Sequence, residues 1–150
     1  MESTETELQE IPPRTGTTGN QDWKRLETTA RKVLVVEDDA AQREALADVL
    51  ELWGYEPVLT GSAEEALFAV RHKRVDAALI DVFLPGRSGT AILSKLRAQF
   101  PEAVLVAMSA LSDPAMARRC KGMGADLFVE KPVSTETLGE ALSTQHQSWH

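Results

Sequence analysis

From residue 32 to residue 145, short apolar runs alternate with segments of helical periodicity. The runs are KVLVV, EPVLT, DAALID, AVLVAMS and DLFVE. Each is short, rich in aliphatic residues and bounded by turn formers, and so predicts a strand. The first intervening segment, DAAQREALADVLELWG, carries Ala41, Ala45, Leu46, Val49, Leu50 and Trp53 at helical spacing and stops at Gly54, a C-cap residue. The second, SAEEALFAVRHK, opens with Ser62 and has Glu65 three residues on, which is a capping box. The third, SGTAILSKLRAQF, follows a Pro85-Gly86 turn. The fourth, SDPAMARRCKGMG, has Ser112 or Asp113 as N-cap and Pro114 in its first turn. The fifth, STETLGEALSTQ, begins with Ser134 and Thr135.

Five strands alternating with five helices predict a parallel sheet covered on both faces. DAALID is almost wholly apolar, as a strand buried on both sides must be. The expected class is α/β, a doubly wound five-stranded parallel sheet of strand order 2-1-3-4-5, flavodoxin-like with five helices. Residues 31–145 form the expected domain. Residues 1–30, rich in Thr, Glu, Gly and Pro, read as a flexible acidic N-terminal tail, and residues 146–150 as a C-terminal tail. Trp23 and Leu26 stand out in the first tail, either as a short docking helix or as tail residues. Trp149 reads as a frayed end or a contact for a partner or second copy.

In such sheets ligands bind beyond the carboxyl ends of the strands, near the point where strand order reverses. The first strand runs into Glu37 and Asp38, the third ends in Asp81, the fourth in Ser109, and the fifth runs into Lys131-Pro132. The peripheral second strand offers Thr60. Adjacent carboxylates repel one another, so this convergence calls for a positive partner. A hard divalent cation with oxygen ligands, Mg²⁺, suits it. Asp81, ending the central strand, is the natural nucleophile for phosphoryl transfer. Glu37, Asp38 and Asp81 are the expected metal ligands, with the Phe83 carbonyl in reach; Lys131 supplies a second positive charge and Ser109 a hydroxyl.

Composition narrows the partners. A net charge of −7 over 150 residues argues against direct nucleic-acid binding, which wants a basic stripe. The single cysteine, Cys120, excludes an intrachain disulfide, and no apolar run reaches the length of a membrane span. The N-terminus lacks the basic and apolar regions of a secretory signal, so the expected location is the cytoplasm. His72, His146 and His150 have no metal-ligand spacing.

LVVEDD, LIDVFLPGRSG, VAMSA and FVEKP, in this order, resemble the successive signatures of the response-regulator receiver domain of two-component signalling. The spacings agree, with 43 residues from Asp38 to Asp81, 28 to Ser109 and 22 to Lys131. The resemblance covers Arg31 to Gln145 and suggests a stand-alone type with an N-terminal extension. It implies that Asp81 accepts phosphate from a sensor histidine kinase or histidine phosphotransfer protein. It makes Glu37 and Asp38 the acidic metal-binding pair, Phe83 the carbonyl donor, Lys131 the lysine that pairs with phosphoryl oxygens, and Pro132 a proline after a cis peptide. Ser109 takes the place of the switch hydroxyl, where threonine is more usual, and Phe128 that of the switch aromatic, where tyrosine is frequent. The expected output is a changed surface around the fourth helix, fifth strand and fifth helix, read by a downstream protein, with a dimer formed on phosphorylation also allowed.

No enzymatic turnover is expected beyond self-phosphorylation and slow self-dephosphorylation, because Phe83 and Leu111 flank the approach to the phosphoryl group and neither can orient a water. Two other readings compete. A degenerate receiver would act as a phosphorylation-independent binding module. A phosphatase of the haloacid-dehalogenase type needs a second Asp where Phe83 stands, and a cap for which no segment is available. Single residues keep ordinary readings too: Asp39 as an N-cap, Phe128 as plain core, Cys120 as an ordinary helix residue, and Arg118, Arg119 and Lys121 as a solvated helix face or part of the output surface.

Overall fold

A computed structural model describes residues 31–84, 89–111 and 113–146. Expectations for the N-terminal segment with Trp23 and Leu26, for the Pro85-Gly86 turn, for Ser112 and for Trp149 lie outside the described residues. Five strands, β1 (Lys32–Val36), β2 (Glu56–Thr60), β3 (Ala77–Asp81), β4 (Val104–Ser109) and β5 (Leu127–Glu130), form one parallel sheet of order β2-β1-β3-β4-β5. The helices between and after them are α1 (Ala40–Leu52), α2 (Ala63–Ala69), α3 (Gly89–Gln99), α4 (Pro114–Gly122) and α5 (Thr135–His146). This is the doubly wound arrangement that the alternation of strand and helix signals predicts.

Strand alternation divides the core in two. Val33, Val35, Leu79, Val106 and Met108 face α1 and α5, packing with Leu50, Leu138 and Leu142. Leu34, Val36, Ile80, Leu105 and Ala107 face the other helices, packing with Ala63, Ile92, Leu93, Leu96 and Cys120. Successive residues of one strand thus enter opposite cores, which is why these strands are apolar throughout rather than alternating. Every residue of β3 is buried, Asp81 included. Each Val or Leu so buried contributes about 1.5–3 kcal/mol relative to exposure.

Helix boundaries follow local chemistry, with three departures from the sequence reading. The α1 face that meets the sheet centres on Ala47 and Leu50, while Ala41 and Ala45 are exposed and Trp53 is 38% exposed. Trp53 is the C-cap, and Gly54 follows it at φ +89°, a left-handed conformation that glycine adopts without strain. In α2, Ser62 accepts the Glu65 N–H as an N-cap should, but the Glu65 carboxylate reaches back to the Gly61 N–H rather than to Ser62. The helix also ends sooner than the segment SAEEALFAVRHK suggests. The N–H groups of Arg71 and Lys73 turn to carbonyls three residues back, tightening the chain once Val70 is buried.

The two edges of the sheet are finished differently. At the amino edge, the Arg97 guanidinium of α3 donates to the carbonyls of Gly124, Pro101 and Ala103 and to the Asp126 carboxylate, which also accepts the Leu105 N–H. Asp76 likewise accepts the Lys32 N–H at 2.9 Å. These groups satisfy one another. Among the described residues the carboxyl edge gathers Glu37, Asp38 and Asp81, and the candidate functional site lies there. Among the described residues no helix is long and apolar enough to cross a membrane.

Candidate functional site

Polar side chains at three strand tips share one local device. The Glu37 Oε2 atom accepts the Asp39 N–H at 3.1 Å, Asp81 Oδ1 accepts the Phe83 N–H at 2.9 Å, and Ser109 Oγ accepts the Leu111 N–H at 3.0 Å. In each case a side chain leaving a strand folds onto the backbone two residues ahead, as Asx and ST turns do. The side chain is thereby held over the carboxyl edge, and the N–H of the turn is satisfied. The motif had a sequence signal, a polar residue closing an apolar run, but its hydrogen bonds became visible only in three dimensions.

Lys131, just past β5, joins two of these tips. Its Nζ lies 2.6 Å from Glu37 Oε1 and 2.9 Å from Asp81 Oδ2. Its backbone N–H donates to the Ser109 carbonyl at 2.7 Å, so the lysine is positioned by β4. The Lys131-Pro132 peptide is cis, as the resemblance implies. Glu37 and Ser109 are completely buried, Asp81 is 5% exposed, and Asp38 is exposed. Burial pushes the Glu37 carboxyl above its ordinary range, and the nearby Asp81 charge adds to this, against the opposing pull of Lys131. For Lys131, burial works against the ammonium, but its hydrogen bonds and charge contacts with Glu37 and Asp81 outweigh it and hold the group above its ordinary value.

Carboxylate oxygens of Glu37, Asp38 and Asp81, one from each residue, lie within 4.8 Å of one another. A six-coordinate Mg²⁺ at about 2.1 Å from its ligands needs oxygens about 3–4 Å apart, so small side-chain adjustments suffice. Among the described residues Lys131 meets Glu37 and Asp81, and a divalent cation would relieve the mutual repulsion of all three carboxylates. The donor set fits a hard cation.

Phe83 is tied to the site through its N–H, at the turn leaving Asp81, and its ring is 48% exposed. Leu111 is similarly exposed at the turn leaving Ser109. Phe128 is half-buried, paired in register with Ala107, and packs on the core beneath α2, α3 and α4. Asp39 accepts the Gln42 N–H at 3.0 Å and is the N-cap of α1. Arg118, Arg119 and Lys121 are exposed on α4 and Cys120 is buried.

Gly89 is a site residue that sequence reasoning passed over. It opens α3, and a Cβ there would stand 2.4 Å from the Asp81 carbonyl oxygen and 2.7 Å from the Val82 Cα. Only glycine lets the helix start so close to the strand that carries Asp81. Beside Glu37 and Lys131 lies a cavity of about 190 Å³, walled by Leu46, Met108, Pro132 and Val133 among others, with Gln42 as a further polar group.

A central-strand aspartate joined by a lysine to an acidic pair is the arrangement that the four sequence signatures imply. A family model described as response regulator receiver domain matches residues 33–143, well over half of the chain. The chain belongs to the response regulator receiver family. A cyclic di-GMP phosphodiesterase of Thermotoga maritima is 39% identical over 106 residues, covering 71% of this chain and 28% of that protein. The DNA-binding response regulator MtrA of Mycobacterium tuberculosis is 34% identical over 115 residues, 75% of this chain and 49% of its own length. The receiver therefore spans less than half the length of these relatives. Among solved structures, a CheY-like receiver domain protein from Methanospirillum hungatei superposes with a TM-score of 0.72 at 27% identity, covering 79% of this chain and 98% of that one. Chemotaxis protein CheY4 of Vibrio cholerae gives 0.72 at 26% identity, with 77% and 98% covered.

Proposed function

We propose that this receiver is a phospho-accepting switch in which Asp81 takes a phosphoryl group from a phosphohistidine of a sensor kinase or phosphotransfer protein. The observation that carries the reading is the Lys131 ammonium held between Glu37 and Asp81 at 2.6 and 2.9 Å. A carboxylate oxygen of Asp81 attacks phosphorus, the O–P bond forms as the P–N bond to imidazole breaks, and the electron pair leaves with the imidazole nitrogen. Lys131, already on the attacking carboxylate, is placed to pair with the oxygens of the group that Asp81 acquires. Glu37, Asp38 and Asp81, with the Phe83 carbonyl, would hold Mg²⁺, which when bound neutralises charge on the transferring group. The apolar wall of the cavity beside Lys131 gives a docked phosphodonor a surface to cover, which would shed water from the site.

Phosphorylated Asp81 carries close to two negative charges and strong acceptor oxygens. Ser109, whose oxygen at rest accepts the Leu111 N–H, retains a hydroxyl proton to donate to them. Its turn inward would shift the loop after β4 and give the half-buried Phe128 room to move, biasing two packings of the α4–β5–α5 surface that a downstream protein reads. Phosphate loss is slow, because the flanking Phe83 and Leu111 side chains cannot orient a water. Supporting this over a haloacid-dehalogenase phosphatase is the apolar Phe83 where an acid/base would stand.

Incubation with acetyl phosphate and Mg²⁺ followed by intact-mass measurement tests the reading. The wild type should gain about 80 Da and Asp81→Ala nothing. A wild type that gains no mass would instead support a phosphorylation-independent binding module.

A further inference from the structure

Glu37 is fixed at four points. Its N–H donates to the Thr60 carbonyl at the tip of β2, and its two carboxylate oxygens take Asp39 N–H and Lys131 Nζ. The fourth contact is from a side chain: Arg43 Nη1 donates to the Glu37 carbonyl at 2.8 Å. Here the ladder of β1 has ended, and this carbonyl begins the peptide that leads to Asp38. The orientation of both acids follows from how that peptide is held.

Arg43 sits one turn into α1, four residues past the N-cap Asp39. The guanidinium also passes close to Gly61, where a Cβ would come 3.2 Å from Nη1 and 3.9 Å from the Glu37 carbonyl. A side chain of α1 is thus tied to the loop bearing the acidic pair, in a space left open by a glycine.

We infer that Arg43 is a positioning residue for the cation site. It holds the Glu37–Asp38 peptide so that both carboxylates converge with Asp81. It touches no reacting atom. This rests on the phospho-accepting reading given above, since that reading requires the acids to bind a divalent cation.

The test uses Mn²⁺ as the probe, with free Mn²⁺ followed by electron paramagnetic resonance on the full chain at a temperature where each variant is folded. Loss of a hydrogen bond from a charged donor, felt only in part at the cation site, is expected to weaken Mn²⁺ binding about fivefold to tenfold in Arg43→Ala. Arg43→Lys, which restores charge and one donor, should return within about twofold of wild type. The Mg²⁺ concentration that half-saturates phosphorylation by acetyl phosphate should rise in Arg43→Ala while the saturated rate stays near wild type. A merely structural role would lower the melting temperature and leave Mn²⁺ affinity unmoved, and that result overturns the inference. If Arg43→Ala does not fold, Arg43→Met, which keeps an apolar stem without a donor, takes its place, and wild-type Mn²⁺ affinity in it overturns the inference. A wild type that binds no Mn²⁺ would instead sink the phospho-accepting reading itself, so the two failures are distinguishable.

Discussion

Lys131→Met is the perturbation on which the electrostatic account of the site is most exposed. The lysine side chain is 15% exposed and faces two carboxylates, one of them fully buried. At an effective dielectric of about 20, its contacts at 2.6 and 2.9 Å give roughly 6 kcal/mol of gross attraction each. Desolvating the ammonium and the carboxylates offsets most of this, so the net value of the pair is small. Removing one partner is another matter, because Glu37 remains buried without a counter-charge, a loss of about 3–5 kcal/mol for fully enclosed pairs. Asp38 is exposed, so solvent reaches the rim of the site, and the lower end applies, about 3 kcal/mol at pH 7. For a domain of this size that lowers the melting temperature by roughly 10 °C.

The pH dependence has a definite sign. The folded Glu37 carboxyl lies above its ordinary value of 4.5, chiefly through burial, so the folded state binds more protons than the unfolded state just above that pH. Stability attributable to Glu37 therefore falls as pH rises through that window. Lys131 opposes this in the wild type, so its removal widens the window, and the penalty of the variant should shrink as pH falls toward 4.5 and grow as pH rises. The folded Lys131 lies above its ordinary 10.5, so its contribution persists below that value and is lost as pH rises through the raised one. The alkaline loss should vanish in Lys131→Met. Urea melts followed by circular dichroism at pH 5, 7 and 8 provide the measurement. A variant within about 1 kcal/mol of wild type at pH 7, or equally destabilised at pH 5 and 8, would refute the reasoning.

Other expectations separate the roles of neighbouring residues. Asp39→Ala should cost about 1 kcal/mol through loss of the α1 N-cap and leave the Mg²⁺ dependence of phosphorylation unchanged; a weakened Mg²⁺ response would make Asp39 part of the cation site. Gly89→Ala forces a Cβ against the Asp81 carbonyl, and should destabilise by about 2–3 kcal/mol in thermal melts, whereas a neutral result would mean that α3 can shift without cost. Phosphate on Asp81 should survive for minutes in purified protein with Mg²⁺ present and be lost faster in Leu111→Gln; decay of the wild type within seconds would contradict the apolar-flank argument.

Much of this molecule is written in its chain. The strands show as apolar runs because both faces of a parallel sheet are buried, and the site residues show because each ends such a run. Asp81, Glu37, Asp38, Ser109 and Lys131 are legible for that reason, and four ordered signatures at fixed intervals tie them to the receiver family. Contacts between separate elements are not legible in this way. Arg43 is one more charged residue on a helical segment until α1 packs beside β1 and its guanidinium meets the Glu37 carbonyl. Gly89 is one more glycine in a turn-rich stretch until α3 starts against the backbone of β3. The rotation of α1 that buries Ala47 and exposes Ala45 likewise depends on which side chains the sheet offers it. A periodic pattern depends on neighbours along the chain, and so survives in one dimension. Close approach and charge pairing across more than 90 residues, as between Lys131 and Glu37, depend on where the completed sheet brings its strand ends together.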